Sequence, residues 1–331
     1  MTAERINVGG QAVIEGVMMR SPRSFAVVCR RPDGSIVIKE QEWRPLWSRI
    51  RPLRWPLLRG GVVLLESLVN GISALTFSAD QQLEEERPQK GSASVGNIGM
   101  VAISLIFGLL LFVGVPHLAT WGLGGLLGFD TSSAWFHLID GAIKLIILVG
   151  YLAAISLLPD VRRVFQYHGA EHTSIYTYEQ GLPLTVDNAR KQTRFHPRCG
   201  TSFLLIVIMV SVVLFSALLQ FPLADSKVAD NLLKIAIKIP LMFPVAGLSY
   251  ELIKLAGKHW ETSRLAKIGS APGMWLQKIT TREPDDDQLE IALISIRKTL
   301  WREQQGAGAA PIGDDVEVYH SAADVDLPLA A

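Results

Sequence analysis

The sequence predicts a mainly α-helical, polytopic membrane protein with about four transmembrane helices, an interfacial amphipathic helix and a small cytoplasmic β element. Three observations lead there. No Asp, Glu, Lys or Arg occurs between Lys90 and Asp130, and a helix that crosses a bilayer needs roughly 20 consecutive apolar residues. Charged residues make up 19% of the 331, with 49% hydrophobic and a mean hydropathy of +0.28, whereas an ordinary soluble domain is about 25% charged. Phe25 to Glu42 alternates with period two around Asp33-Gly34, the pattern of a two-residue β-hairpin.

The same totals exclude other classes. Lys and Arg number 32 against 31 Asp and Glu, a net charge of +1. The basic excess of a nucleic-acid-binding domain is missing, so no nucleic-acid partner is expected. Cys29 and Cys199 are too few for a disulfide framework, and the polar start MTAERINVGGQ lacks the apolar core of a cleaved signal peptide.

Taken in order, residues 1–97 form an N-terminal region that holds the hairpin. Trp43, Trp47 and Trp55, interleaved with arginines, suit a membrane-surface anchor. Leu57 to Phe77 is apolar enough to span, but Arg59, Glu66, Asn70 and Ser73 form a polar stripe opposite Val63, Leu64, Leu68 and Leu75, which predicts an interfacial or re-entrant helix. Residues 98–159 carry two spans, Ile98 to Leu118 and Leu138 to Leu158. The second has Asp140 and Lys144 one turn apart, placed to pair and lean toward the interface. Residues 160–200 are a central loop, and 201–256 carry a third span, Thr201 to Leu219, and a fourth, Leu232 to Leu255. Lys234 and Lys238 sit in the first turns of the fourth, and Pro240 and Pro244 should kink it.

In the C-terminal region 257–302, Leu289, Leu293, Ile296 and Leu300 repeat at helical spacing behind Pro284 and three aspartates, predicting an amphipathic helix. Residues 303–331 are dominated by Ala, Gly and Asp and are expected to be disordered. Lys and Arg crowd the segment before the first span, the central loop and the end of the fourth span, but are absent from Trp121 to Trp135. Positively charged short loops stay in the cytoplasm, so both termini and the central loop are expected there.

The sharpest chemical signal is His168-Gly169-Ala170-Glu171-His172, an H-x-x-E-H arrangement. On a helix its two histidines share a face and can hold one metal ion, with Glu171 in reach of a water as general base. Catalytic zinc takes three protein ligands and keeps a position open. His196, opening His196-Pro197-Arg198-Cys199-Gly200, is the expected third. Cys199 as a fourth ligand would close the shell and make the site structural. Glu179 lies seven residues beyond His172, roughly 10 Å along a helix axis, too far for the same shell. Glu251, costly near a span end unless used or paired, is a ligand, a group supporting one, or an ion-pair partner of Lys254. Arg194 and Arg198, with a Thr201 or Ser202 cap on free helix N–H groups, suit an anion such as a lipid phosphate, or ordinary anchoring of a basic loop. The run Gly9 to Arg20 matches no phosphate-loop or dinucleotide spacing and reads as tight turns around a short buried segment.

The Gly9 to Pro22 run, His168 to His172 followed by Tyr178-Glu179, Arg194 to Ser202, and Pro272-Gly273 through Gln277 to Pro284 together resemble the YqhQ-like family of bacterial integral-membrane proteins, a family of unknown function. The resemblance reaches to about Arg302. It implies a multi-pass protein of the bacterial inner membrane and a metal-dependent enzyme, with no substrate attached. It carries over His168, Glu171, His172, His196 and Cys199, with Gln11, Glu15 and Arg20 from the first block.

Two functions follow as expectations. One is a hydrolase with a divalent metal, zinc by preference, on His168, His172 and His196 at the cytoplasmic face, acting on a membrane-associated substrate. The other is a non-enzymatic lipid- or solute-binding or transport protein, suggested by Asp140, Lys144, Lys234, Lys238 and Glu251 in or beside spans. A metal that merely ties the central loop to the third span is a further alternative. Expected partners are membrane lipids and, as a homo-oligomer, further copies of the chain.

Overall fold

The computed structural model describes residues 6–42, 55–83, 95–260, 262–305, 316–325 and 327. Among them, strands β1 (Gly9–Val13), β2 (Gly16–Arg20), β3 (Ser24–Arg30), β4 (Ile36–Glu42) and β5 (Val316–Tyr319) form one antiparallel sheet in that spatial order. The helices are α1 (Pro56–Leu83), α2 (Val95–Leu109), α3 (Val115–Leu127), α4 (Ala134–Ile155), α5 (Pro159–Glu179), α6 (Val186–Arg190), α7 (Gly200–Leu218), α8 (Lys227–Lys258), α9 (Arg264–Thr280) and α10 (Asp286–Gln305).

The sheet is apolar on both faces because its strands alternate between two cores. Val17, Met19, Val28, Ile36 and Ile38 pack with Tyr167 of α5 and with Leu289, Leu293, Ile296 and Leu300 of α10. These are the residues whose spacing predicted the C-terminal helix, and burial of each large aliphatic side chain contributes about 1.5–3 kcal/mol. A capping box starts that helix: Gln288 N donates to Asp285 Oδ1 at 2.9 Å and Asp285 N donates to Gln288 Oε1 at 3.0 Å. Val13, Met18, Phe25 and Val27 face the other way, onto Ala74 and Phe77 of α1.

The predicted hairpin is β3–β4, with pairing that closes at Arg30↔Ile36. Its loop is therefore five residues, Arg31 to Ser35, and not two. Gly34 takes φ +88 there, while Asp33 Oδ1 accepts from Ser35 N at 2.8 Å. β5 lies inside the stretch expected to be disordered; it pairs with β4 from Ile36↔Tyr319 to Lys39↔Val316. Trp43 and Trp47 of the expected surface anchor lie outside the described residues, and Trp55 is exposed.

Among the described residues, five helices are long and apolar enough to cross a membrane, one more than the sequence count: Leu58–Leu83, Ala102–Leu127, Ala134–Ile155, Gly200–Leu218 and Lys227–Lys258. The second joins α2 to α3 through a π-helical turn, Leu110–Gly114. α8 runs as one helix with both Pro240 and Pro244 inside it. Ile103, Ile106, Phe107, Leu126, Ile146, Met209 and Val213 project outward, the apolar exterior that lipid covers. The additional helix is α1, whose Gly60 and Gly61 meet Gly247 and Phe243 of α8 too closely to admit a Cβ, a small-residue contact typical of membrane helices. Its second half holds the sheet: Ser78 Oγ accepts from Ile14 N at 3.2 Å, and Gln81 Oε1 accepts from Arg31 at 2.6 and 2.9 Å.

Asp140 and Lys144 do pair, at 2.6 Å, but neither leans out. Lys238, fully buried, donates to Asp140 Oδ2 at 3.3 Å and to His117 Nδ1 at 2.9 Å. His117 Nε2 in turn donates to Asn231 Oδ1 at 2.9 Å, and Lys234 pairs with Asp230 at 3.0 Å. The lysines turn inward because carboxylates from the same and a neighbouring helix compensate them there.

Candidate functional site

The H-x-x-E-H residues do lie on a helix, α5, which packs between the sheet and the segment leading from α9 to α10. Gly169 permits the closest approach: a Cβ there would stand 2.1 Å from the Arg282 carbonyl oxygen. Two residues earlier, at the end of α9, the Thr280 carbonyl accepts a hydrogen bond from His168 Nδ1 at 2.8 Å. His172 Nδ1 donates to the Arg194 carbonyl at 2.6 Å. A carbonyl can only accept, so both Nδ1 atoms carry the proton and both Nε2 atoms are turned away from the backbone.

They are turned toward Cys199. Its Sγ lies 3.3 Å from His168 Nε2, and ligand atoms of His168, His172 and Cys199 all fall within 4.8 Å of one another. Cys199 is the N-cap of α7, with extended backbone (φ −62, ψ 141), so the partial positive charge of a 19-residue helix adds to the histidines. Burial opposes ionisation of the thiol, but His168 and His172 hold it well below the ordinary cysteine range. Burial likewise disfavours a charged His168, yet the Cys199 thiolate raises it to about 9. A cation entering here would replace the shared proton, which is the usual coupling between metal binding and proton release. Two imidazoles and one thiolate, each imidazole steadied by a carbonyl behind it, are a donor set suited to zinc with one position left open.

His196, the expected third histidine, stands beside this group but faces elsewhere. Its Nε2 lies 3.4 Å from Glu179 Oε2, its ring packs 4.7 Å from Tyr176, and burial lowers its pKa to about 4. Gln277 of α9 explains the geometry. It accepts from His196 N and donates to His196 O, both at 2.8 Å, pinning the backbone so that the turn delivers Cys199 inward. No sequence spacing marked Gln277 for this, nor Tyr176. Glu179, too far along the helix for the first shell, instead supports His196 and pairs with Arg198.

Glu171 is buried, and desolvation raises its pKa. With Val8, Gly9, Gly10, His172, His196, Arg198 and Cys199 it lines a cavity of about 110 Å³. The other expected positions have structural partners. Arg194 donates to Glu283 Oε1 and the Thr281 carbonyl. Thr201 Oγ1 lies 3.2 Å from Cys199 Sγ, and Ser202 Oγ accepts from Gln277 at 3.2 Å beneath Gly273. Glu251 pairs with Arg59 of α1 at 2.7 Å rather than with Lys254. In the N-terminal block, Gln11 lies against Gly71 of α1, and Arg20 donates to Ser67 Oγ at 3.4 Å. Glu15, at φ 50 in the β1–β2 turn, pairs with Arg163. Of that block, only Gly9 and Gly10 border the cavity.

The DUF1385 family model, described as a protein of unknown function, matches residues 55–302. Uncharacterized protein YqhQ of Bacillus subtilis (strain 168) is 34% identical over 305 residues, covering 88% of this chain and 92% of that protein. No solved structure matches the chain. The family match runs from α1 through α10 and contains both motif segments, so the chain belongs to the DUF1385 family.

Proposed function

We propose that this protein is a hydrolase of the membrane surface that uses a divalent metal, zinc by donor type, held by His168, His172 and Cys199, with Glu171 as general base. One observation carries the reading. Both histidines spend Nδ1 on a backbone carbonyl, while His168 Nε2 lies 3.3 Å from Cys199 Sγ and one ligand atom each of His168, His172 and Cys199 falls within 4.8 Å of the others. Such fixed, carbonyl-backed imidazoles are the supporting arrangement of metal ligands. When bound, the ion supplies Lewis acidity to an oxygen of water or substrate. Glu171, whose pKa burial raises, takes the proton from the attacking water and returns it to the leaving group. His196, Glu179 and Arg198 hold the far wall of the cavity.

The reading places the site at the cytoplasmic face of the bacterial inner membrane with both termini inside. Support comes from the basic segments around it and from α1, whose residues 71–82 are spent on the sheet. That use suits a helix lying in the interface.

Metal content by inductively coupled plasma mass spectrometry tests the proposal. The purified protein should hold about one zinc per chain, as a single site requires. His172→Ala and Cys199→Ala should lose it, His196→Ala should keep it, and Glu171→Gln should keep it while losing hydrolysis. Zinc that never exceeds background, even when offered back without chelator, overturns the assignment. The buried Asp140–Lys238–His117 chain favours a second reading, solute transport. Transport that survives Lys238→Met would remove its support.

A further inference from the structure

α9 (Arg264–Thr280) presents three sectors around its axis, and one of them is spent on the candidate site. Ser270, Gly273, Leu276, Gln277 and Thr280 are buried. Gln277 grips the His196 backbone, a Cβ on Gly273 would stand 2.3 Å from Ser202 Oγ, and the Thr280 carbonyl receives His168 Nδ1. The second sector is apolar: Leu265, Ile268, Pro272 and Trp275 follow one another at intervals of three, seven and ten residues from the first, which puts them on one side of a helix. Leu265 is 81% exposed, Ile268 69% and Trp275 67%. The third sector holds Arg264, Lys267 and Lys278, all exposed. Among the described residues none of the three forms an ion pair.

A row of large apolar side chains left bare on one helix marks a contact surface, and the neighbouring helices show what covers it. Gly269 and Pro272 share a narrow crevice with Leu205 and Met209 of α7 and Ile253 of α8. Met209, 57% exposed, belongs to the apolar exterior of the spans, so the bare sector of α9 continues a surface that lipid already covers. Charge points to the kind of lipid. From Leu252 to Thr281 the chain carries Lys254, Lys258, Arg264, Lys267 and Lys278 against Glu261 alone, and all five cations are exposed. Clustered cations beside a span are drawn to negatively charged headgroups, and a tryptophan such as Trp275 favours the level where acyl chains meet headgroups.

We propose that α9 is a lipid-binding helix seated in the bilayer, with Leu265, Ile268 and Trp275 against acyl chains and Arg264, Lys267 and Lys278 on the headgroups of anionic lipid. This seating does not depend on zinc. It fixes the candidate centre at the margin of the bilayer, because the helix that lipid covers on one side holds His196 and Ser202 on the other.

The test uses the full chain in phosphatidylcholine vesicles with a fluorophore on Ile268→Cys, and on Lys267→Cys for contrast. Cys29 and Cys199 are both buried, and the unsubstituted chain gives the labelling background. Two quenchers are compared: a lipid with a nitroxide on its acyl chain, and acrylamide in the water. The Ile268 label should be quenched by the nitroxide lipid and shielded from acrylamide, and the Lys267 label should be reached by acrylamide. Nitroxide phosphatidylglycerol should quench the Ile268 label more than nitroxide phosphatidylcholine at the same mole fraction, since each cation at an anionic surface is worth about fivefold in binding. Lys267→Gln with Lys278→Gln should bring the two lipids close to equality. Should Ile268→Cys fold poorly, Leu265→Cys on the same sector repeats the measurement. Acrylamide that reaches the Ile268 label as freely as the Lys267 label places the sector in water and overturns the proposal. Shielding from both quenchers means that protein, a second copy of the chain or another partner, covers the sector, and overturns it as well. Equal quenching by the two nitroxide lipids in the unmodified cation background overturns the part assigned to anionic headgroups.

Discussion

Gly169→Ala tests the packing that builds the site without touching any ligand. In an open helix the exchange would stabilise by about 1 kcal/mol, because alanine has the higher helix propensity. Here the new Cβ would sit 2.1 Å from the Arg282 carbonyl oxygen, about 1 Å inside ordinary contact. The segment cannot easily yield. Arg282 N donates to the Phe165 carbonyl of α5 at 2.8 Å, and Thr280 receives His168 Nδ1 at 2.8 Å. Overpacking of this kind costs up to about 3 kcal/mol. Less the propensity gain, a net loss of about 2 kcal/mol is expected. The same displacement draws the Thr280 carbonyl away from His168, so zinc affinity should fall with stability. The assay is denaturant unfolding in detergent together with zinc stoichiometry, with Gly269→Ala in parallel. Gly269 is exposed in α9 with nothing within 4 Å of its added Cβ, and its substitution should stabilise by about 1 kcal/mol. A Gly169→Ala protein as stable as Gly269→Ala and fully loaded with zinc would refute the close approach and the role assigned to Thr280.

Three further outcomes follow from other contacts. Gln277→Leu strands the N–H and carbonyl of His196 and should weaken zinc binding about 10–100-fold, as losses behind metal ligands do; competition with a chelator of known affinity measures it. Lys238→Met leaves Asp140 its closer partner Lys144 at 2.6 Å and should destabilise by less than the about 3–5 kcal/mol of a stranded buried charge, whereas adding Asp140→Asn strands Lys144 and should deepen the loss; unfolding of the three variants reports it. Truncation after Gln305 deletes β5, exposes the β4 edge and takes Glu317 from Lys298, which it meets at 2.8 Å. A loss of about 1–2 kcal/mol and self-association detectable by sedimentation are expected.

Apolar runs declared most of the membrane helices, because a segment in lipid must satisfy its backbone within itself and its hydropathy is a property of that segment alone. α1 was ambiguous for the same reason: length and apolarity permit a span, while its polar stripe serves contacts that lie elsewhere in the chain. Arg59 meets Glu251 of α8, and Gln82 Nε2 donates to the Arg30 carbonyl of β3 at 2.7 Å. The strand near the C-terminus was illegible because Val316–Tyr319 is short and is held by pairing to β4, not by its own composition.

At the site, the two-histidine face followed from helical period, since residues four apart on any helix are neighbours. Which side chain of His196-Pro197-Arg198-Cys199 joins them did not follow from spacing. Both candidates lie more than twenty positions downstream of His172. The choice rests on Gln277 gripping the His196 backbone, Tyr176 and Glu179 receiving its ring, and the start of α7 aiming Cys199 Sγ at His168. The buried lysines follow the same rule. Alone on a span they belong at the interface, but Lys238 meets Asp140 from 98 residues away. Membrane character and the histidine pair are local terms that one segment carries by itself. The His168–His172–Cys199 cluster and the inward charges depend on contacts between segments distant in the chain, which only the folded arrangement brings together.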